Sequence, residues 1–273
     1  MGHRYIFLDE ADSTNNYAKS TKDFPNDKLT VIRAGRQTGG RGRGGKSFFS
    51  NHAGGLWVSI VTPVNDISTH FKHNRAISLA ILESLKNITG KDTQVLIKWP
   101  NDIYVNDKKI TGILLENIHD NPNMLIIGFG INVNTGIDDF PEGLRDSATS
   151  VLMETGREIP LDLLLDDVIS KYCKYADNGD QAAVHELYCN NLYKRGCLSV
   201  VDGRIPSGCE NFGGMLLPGG ASLQDAKKNG SAHHHTGKFV TVDIDGRLRL
   251  ETDSGDVLCH SGTLRFLEGG NNE

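Results

Sequence analysis

The sequence predicts an α+β protein, with a mixed-sheet body flanked by helices and a small β-rich domain at its C-terminal end. Strand-like and helix-like segments are mixed up to about residue 193, and only short strand-like runs follow. Such a change of pattern is typical of two separate units. The length of 273 residues also suits one large domain and one small domain. We therefore expect domains at 1–193 and 194–273.

The elements of the first half are predicted from apolar runs and the residues that interrupt them. Residues 12–15 can cap a helix that continues to about residue 21. A second helix is predicted at 74–88, where apolar residues recur at helical spacing. Pro100 should end a strand or place it at a sheet edge. The predicted strands are 5–8, 29–34, 56–62, 95–99 and 124–131, together with a hairpin at 104–115 that turns at Asn106-Asp107.

The second half is predicted to contain two more helices and then strands. The helices are expected at 160–176, with a proline in the first turn, and at 181–192. Residues 202–237 are rich in Gly, Ser and Asn and contain three consecutive histidines, so we expect a long flexible loop there rather than a metal site. Short strands are expected at 198–201, 239–244, 247–251 and 264–267, with a turn at Asp245-Gly246.

The composition excludes several classes of protein. The five cysteines are odd in number, scattered and never spaced C-x-x-C, which argues against a disulfide framework and against a zinc ribbon. The net charge of −5 makes the chain a poor general binder of polyanions. No apolar stretch approaches the roughly 18 to 20 residues that span a bilayer, and the first residues lack a secretory signal pattern. We therefore expect a cytoplasmic protein that does not bind membranes.

A glycine-rich segment at 40–47 reads G-R-G-R-G-G-K-S and formally matches the phosphate-binding pattern of P-loop NTPases. That pattern requires a helix at Lys46-Ser47, whereas a strand follows here, so we keep a P-loop NTPase only as an alternative. Arg41, Arg43 and Lys46 place three cations on the segment, and guanidinium groups bind carboxylates and phosphates well. We therefore expect a mobile loop that orders over an anionic ligand. An RNA-binding tract is a further alternative, but a single copy in an acidic protein argues against it.

Polar residues also stand at the ends of two predicted strands. Lys98, Asn101 and Asp102 follow an apolar strand and offer, in that order, a cation for phosphate, a polar contact and a magnesium ligand. Lys109 lies on the returning limb of the predicted hairpin and can point back to the same strand end. The glycines at 128–134, where a buried strand ends, indicate close approach by another backbone or by a ligand.

Four segments, in this order, resemble the biotin protein ligase family: DSTN at 12–15, RQTGGRGRGGKSFFS at 36–50, KWPNDIYVNDKKITGILLE at 98–116 and GFGINVN at 128–134. The resemblance covers residues 5–135 and continues more loosely into the β-rich tail, which is similar to the family's small SH3-like domain. It implies an ATP-dependent ligase with a mixed-sheet catalytic domain. Such a ligase forms biotinyl-5'-AMP and transfers biotin to a lysine of a biotin carboxyl carrier protein.

The resemblance also implies roles for individual residues. Lys109 and Arg43 would be the catalytic residues. The implied biotin-binding residues are Ser13, Thr14, Asn15, Gln37, Gly40, Arg41, Gly42, Arg43, Lys109 and Gly112. The implied ATP-binding residues are Arg41, Arg43, Lys46, Phe48, Lys98, Asn101, Lys109 and Asn132, and Asp102 is the candidate ligand for magnesium.

The sequence departs from the family pattern within the glycine-rich segment and just after it. Lys46 and Phe48 stand where the family usually has Arg and Trp, which removes a bidentate donor and an indole N–H and bears on adenine affinity. Asn51 replaces the proline that normally follows the serine. A lipoate- or octanoate-type protein ligase, which shares the general fold, is the main alternative function. Only 12 residues precede Ser13, so we expect no helix-turn-helix and no DNA binding. We expect the protein to be a monomer or a homodimer.

Overall fold

The computed structural model describes residues 3–21, 23–64, 66, 69–119, 121–203 and 233–267. The chain divides into two compact units, Met1–Asn191 and Leu192–Glu273. This division lies beside position 193, where the sequence places the domain boundary. No helix in the described parts of the chain has the length and apolar character needed to cross a membrane.

The first unit is built on a seven-stranded mixed sheet. Its strands are β1 (Arg4–Ala11), β2 (Thr30–Gln37), β3 (Gly55–Pro63), β4 (Val95–Lys98), β5 (Asp102–Val105), β6 (Lys108–Ile118) and β7 (Asn121–Asn132). They lie in the order β1-β2-β3-β7-β6-β5-β4. Only β1 and β2 run parallel, and every other pair is antiparallel. The predicted mixed sheet is therefore confirmed, and β4 lies at its edge as Pro100 predicted.

The described helices are α1 (Thr14–Ser20), α2 (His70–Thr89), α3 (Val151–Thr155), α4 (Leu161–Ala176) and α5 (Gln181–Asn190). The apolar residues that predicted α2 form its buried face, but the helix begins four residues earlier than expected, at His70. The sequence analysis missed α3, since five residues are too few for a periodic pattern. Its ends carry local signals instead: the Ser150 hydroxyl accepts a hydrogen bond from Met153 N–H, and Gly156 adopts a left-handed φ of 69°.

The hairpin between β5 and β6 brings two ionisable residues to one place. Its turn residues, Asn106 and Asp107, have φ values of 46° and 66°. Two consecutive left-handed residues make the turn whose twist suits a two-residue hairpin, and Asn and Asp tolerate that conformation. Tyr104 lies opposite Lys109 in the ladder, and the Lys109 ammonium group reaches Asp102 at the beginning of β5.

The second unit contains a five-stranded antiparallel sheet. Its strands are β8 (Leu198–Gly203), β9 (His233–Val242), β10 (Leu248–Thr252), β11 (Gly255–Cys259) and β12 (Thr263–Phe266), in the order β11-β10-β9-β8-β12. The small β-rich unit is confirmed, with its predicted turn at Asp245-Gly246. Sequence analysis missed β11, because only Cys259 of its five residues is buried and the strand shows no clear alternation.

The predicted loop at 202–237 is wrong at both ends. Asp202 and Gly203 continue β8, and β9 already begins at His233. The two strands pair along this stretch, with Val201 opposite His235. Backbone pairing between strands outweighs the weak strand preference of His and Gly. The three histidines that were assigned to a solvated loop are strand residues, and the rest of the predicted loop, 204–232, lies outside the described residues.

A buried histidine joins α2 to α4. His73 Nδ1 lies 2.8 Å from the hydroxyl of Tyr172, and both side chains are buried. Burial lowers the pKa of His73 to about 4, and burial also raises the pKa of Tyr172. A neutral imidazole and a neutral tyrosine hydroxyl therefore share this buried hydrogen bond.

This pair predicts a loss of stability in mild acid. The folded pKa of His73 is about 4, below the ordinary 6.5, so between these values the unfolded chain binds a proton that the folded chain does not. Stability falls as the pH drops through this window, by roughly 3 kcal/mol for the whole interval. Urea unfolding of the protein and of His73→Gln should show their free-energy difference changing by about that amount between pH 7 and pH 4. Substitution of the exposed His260 by Gln is the control, and a pH-independent difference for His73→Gln would contradict the assignment.

Candidate active site

The start of α1 forms a buried polar patch on the sheet. Ser13, Thr14 and Asn15 are 3%, 3% and 4% exposed. The backbone N–H and the hydroxyl of Thr14 both donate to Gln37 Oε1, at 2.8 and 3.1 Å. Since Oε1 accepts both bonds, the NH2 group is the part of Gln37 suited to a ligand. The structure thus brings together four residues that the family resemblance assigned to biotin.

Ser59 completes this patch and was not found by sequence analysis. Its hydroxyl lies 2.7 Å from Thr14 Oγ1 and 2.5 Å from Asn15 Oδ1, and the side chain is fully buried. It holds the two α1 residues against β3. The one signal in the sequence is a serine inside LWVSIV, an otherwise apolar strand, because a buried hydroxyl requires a hydrogen-bond partner.

Asn15 is held inside the chain on several sides. Its amide group donates to Leu114 O at 3.3 Å and to Glu116 Oε2 at 3.0 Å. A Cβ atom added at Gly128 would lie only 2.2 Å from Asn15 Oδ1. The close approach that the glycines of this strand predicted is therefore made by a side chain of α1. This geometry makes Asn15 a support of the patch.

The glycine-rich segment folds as a tight hairpin-like loop. Residues Arg43–Gly45 form a single 3-10 turn, in which Gly44 and Gly45 have φ values of 63° and 76°. Gly42 N–H donates to Lys46 O at 2.7 Å, and the Lys46 side chain is exposed. No helix begins at Lys46; the next regular element is β3, at Gly55. The P-loop requirement is not met, and this rival interpretation is wrong.

Lys109 faces this loop and an acidic partner. Its Nζ lies 2.7 Å from Asp102 Oδ1 and 5.6 Å from the centroid of the Phe48 ring. Burial lowers the pKa of Arg43, and the negative charge of Asp102 acts in the opposite direction. Asp102 therefore interacts electrostatically with a strand lysine and with a loop arginine. Of the two predicted catalytic cations, Lys109 is ion-paired with Asp102, and Arg43 lies within its electrostatic influence.

Two glycines that face each other in the sheet accommodate the Phe48 ring. Gly112 of β6 pairs with Gly130 of β7, and a Cβ on either would lie 2.9 or 2.7 Å from the ring. The ring also meets Trp57 edge-on at 6.0 Å between centroids. Larger residues at these two positions would displace the aromatic ring at the end of the loop. Gly112, which the resemblance assigned to biotin, contacts Phe48.

The remaining nucleotide-side candidates are tied into the body of the first unit. Lys98 Nζ lies 3.2 Å from the Tyr104 hydroxyl. Asn101 donates to Ile113 O at 2.6 Å, and Asn132 donates to Thr149 O at 3.0 Å. The segment around Thr149 also supports β6 at Lys109. Lys109 N–H donates to Ser147 O at 2.9 Å, and Lys109 O accepts from Thr149 N–H at the same distance.

Comparison with known proteins identifies relatives across nearly the whole chain. The sequence model of the biotin/lipoate A/B protein ligase family matches residues 8–132. A bifunctional ligase/repressor BirA of Bacillus spizizenii is 30% identical over 271 residues, which are 97% of this chain and 75% of that protein. A biotin–[acetyl-CoA-carboxylase] ligase of Paracoccus denitrificans is 29% identical over 174 residues, which are 62% of this chain and 71% of that protein.

The fold points to the same relatives. The biotin protein ligase from Aquifex aeolicus, solved in complex with biotin and ATP, is 25% identical and has a TM-score of 0.75. That comparison covers 97% of this chain and 99% of the Aquifex chain. The similarity therefore extends over both the mixed sheet and the small β-rich unit, and it confirms the predicted fold class. The chain belongs to the biotin protein ligase family.

Proposed function

We propose that this chain joins biotin to ATP as biotinyl-5'-AMP and transfers the biotinyl group to a lysine of another protein. The observation that carries the proposal is the ion pair of Lys109 with Asp102 next to Phe48 at the end of the loop, with Arg43 close enough to feel the charge of Asp102. In this proposal, Ser13, Thr14 and Gln37 of the polar patch bind the ureido ring of biotin. Asn15 and Ser59, which also belong to the patch, hold these residues in place.

The first step joins two anions. An oxygen of the biotin carboxylate attacks the α-phosphorus of ATP, the bond to the β-phosphate oxygen breaks, and pyrophosphate leaves. Carboxylate and phosphate repel each other, so cations fixed in advance lower the barrier as the new bond forms. Lys109 and Arg43 supply this charge, and Asp102 holds Lys109 in place and attracts Arg43 before the substrates bind.

The second step uses the mixed anhydride. A neutral lysine amine of the acceptor attacks the biotinyl carbonyl carbon, the bond to the phosphate oxygen breaks, AMP leaves and the amine loses a proton. Biotinyl-5'-AMP reacts with water, so a loop that covers it protects it from hydrolysis. Arg41, Gly42 and Arg43 belong to that loop, with Gly40 at its base. A Cβ at Gly40 would lie 2.5 Å from Phe48 O.

Residues beyond this cluster serve the nucleotide in our proposal. Lys98, Asn101 and Asn132 lie on the ATP side, with the exposed Lys46 at the phosphates and Phe48 against the adenylate. Lys46 and Phe48 replace the usual Arg and Trp, so we expect weaker adenine binding than is typical of the family.

Magnesium would enter with the triphosphate. Among the residues that the structure describes, no three carboxylate, histidine or cysteine side chains come together as a metal site. Asp102 is a single carboxylate, which fits an ion that is held mainly by phosphate oxygens. When bound, the ion would offset part of the phosphate charge.

Biotin-dependent exchange of pyrophosphate into ATP tests the proposed activity. We expect exchange with biotin, and mass spectrometry should identify biotinyl-AMP when biotin, lipoate and octanoate are offered together. Formation of only lipoyl- or octanoyl-AMP would favour the alternative ligase. The acceptor that we propose is a biotin carboxyl carrier protein of acetyl-CoA carboxylase, because the Paracoccus relative is named for that substrate. We expect this reaction to take place in the cytoplasm.

Removing the Ser59 hydroxyl should weaken biotin binding. Ser59→Ala takes away the contacts that hold Thr14 and Asn15, so we expect the KM for biotin to rise about tenfold and stability to fall by about 1 kcal/mol. Ser78→Ala is a matched control. Ser78 is equally buried, and its hydroxyl has no partner among the described residues. Equal KM values in the two variants would contradict the role of Ser59.

A further inference from the structure

Glu116 connects the polar patch to the glycine-rich loop. It stands on β6 with its side chain 16% exposed. One oxygen, Oε2, accepts from Asn15 Nδ2 at 3.0 Å. The other, Oε1, lies 2.6 Å from Lys19 Nζ and 3.3 Å from Arg41 Nη2. A single carboxylate therefore contacts a patch residue, the end of α1 and the first cation of the loop.

The carboxylate is charged in the folded protein. Burial would raise the pKa of Glu116, but hydrogen bonds from Lys19 and Asn15 and the charges of Lys19 and Arg41 outweigh it, so the pKa falls below its usual value. Hydrogen bonds between charged partners are stronger than neutral ones, particularly where water is partly excluded. The Glu116 carboxylate is therefore a charged acceptor that is largely shielded from water, and Arg41 is the partner that links it to the loop.

The Arg41 guanidinium joins the loop to α1 and β6. Its Nη1 donates to Asn16 Oδ1 at 2.7 Å, and its Nη2 reaches Glu116. The hydrogen bond from Gly42 N–H to Lys46 O shapes the loop internally but does not reach α1. Of the two Arg41 partners, Glu116 alone carries a charge, and it is also bound to Asn15.

We infer that Glu116 is a positioning residue that holds the glycine-rich loop, through Arg41, against the patch supported by Asn15. The consequence for catalysis rests on the proposed function. A loop held by Glu116 stays over biotin and biotinyl-5'-AMP, although Glu116 itself belongs to neither set of proposed ligand contacts. Losing Glu116 should therefore open the loop and release the intermediate while leaving Lys109, which stands on β6, in place.

Limited trypsin digestion of the whole chain without substrates tests this directly. Trypsin cuts after Arg43 and Lys46 when the loop opens. We expect Glu116→Gln to raise the rate of cleavage after these two residues about tenfold, because local opening becomes easier when a charged contact is lost. Arg41→Gln should have the same effect, and combining both should add little, since both remove one contact.

The control is Glu10→Gln, which removes an exposed ion pair with Arg36 of 2.5 Å and should leave loop cleavage unchanged. Unchanged cleavage in both Glu116→Gln and Arg41→Gln would overturn the inference. If Glu116→Gln also lowers the thermal midpoint, Arg41→Gln decides, because its side chain is more exposed, at 43%.

Kinetics separate positioning from mere structural support. We expect Glu116→Gln to raise the KM for biotin and to shorten the lifetime of enzyme-bound biotinyl-AMP about tenfold, with a smaller change in kcat. A lower kcat together with a lower thermal midpoint, with the KM for biotin unchanged, would indicate only a structural role and would overturn the inference. Absence of exchange in the unmodified chain would contradict the proposed function alone, since the digestion test needs no substrate.

Discussion

Replacing Lys109 with Ala is expected to lower biotin-dependent pyrophosphate exchange by about a thousandfold, which corresponds to roughly 4 kcal/mol of transition-state stabilisation. The ammonium group lies 2.7 Å from Asp102 and faces the ring of Phe48. In the proposed reaction, its removal takes away a cation from the place where the biotin carboxylate meets the α-phosphate. It also leaves Asp102 without that partner, so a negative charge would repel both substrates. The exchange rate at saturating biotin and ATP measures the effect.

The matched control is the neighbouring lysine. Lys108 precedes Lys109 on β6, and successive side chains of a strand point to opposite faces. Lys108→Ala makes the same chemical change on the other side of the strand, so we expect exchange within about twofold of the unmodified protein. Near-normal turnover in Lys109→Ala would contradict the catalytic role assigned to Lys109.

Substituting Gly128 by Ala should disrupt biotin binding by displacing Asn15, which supports the patch. The new methyl group would lie 2.2 Å from Asn15 Oδ1 and 2.8 Å from Asn15 Nδ2. Asn15 cannot easily move away, because Ser59, Leu114 and Glu116 all bind its amide group. Overpacking of this kind costs about 2 to 3 kcal/mol. We expect the thermal midpoint to fall by roughly 5 to 10 °C and the KM for biotin to rise more than about tenfold.

Gly143 provides the comparison for that substitution. A Cβ at Gly143 meets no atom within 4 Å, so Gly143→Ala adds the same methyl group in open space. Calorimetry should show a midpoint within about 2 °C of the unmodified protein, and the KM for biotin should not change. If Gly128→Ala behaves like Gly143→Ala, the close packing of Asn15 on β7 is not important for the patch.

Much of the local structure could be predicted from the sequence. The hairpin turn at Asn106-Asp107 and the buried face of α2 depend on residues a few positions apart, and both are confirmed. Two short elements, α3 and β11, could not be predicted, because each has five residues and offers too few positions for a periodic pattern. The extent of β8 and β9 was also not predicted, for another reason. His and Gly residues belong to strands there because each strand pairs with the other.

The cations of the candidate site could also be identified from the sequence, but their partners could not. Charge and motif point to Lys109 and Arg43 in the sequence, whereas Asp102 is identified there only as a candidate magnesium ligand. The structure pairs Asp102 with Lys109 and places it near Arg43. The role of Ser59 depends on β3 lying beneath α1, a placement that no local pattern specifies.

The sequence by itself determined the residue types and their local conformations: the glycines of the loop, its three cations, the turn and the apolar faces. Tertiary structure alone decided which carboxylate meets which cation. Glu116 contacts Lys19 across 97 positions and Asn15 across 101. Such contacts follow from the order of the strands and the packing of α1 on the sheet. These depend on burial summed over the whole core, which is why short-range patterns do not reveal them.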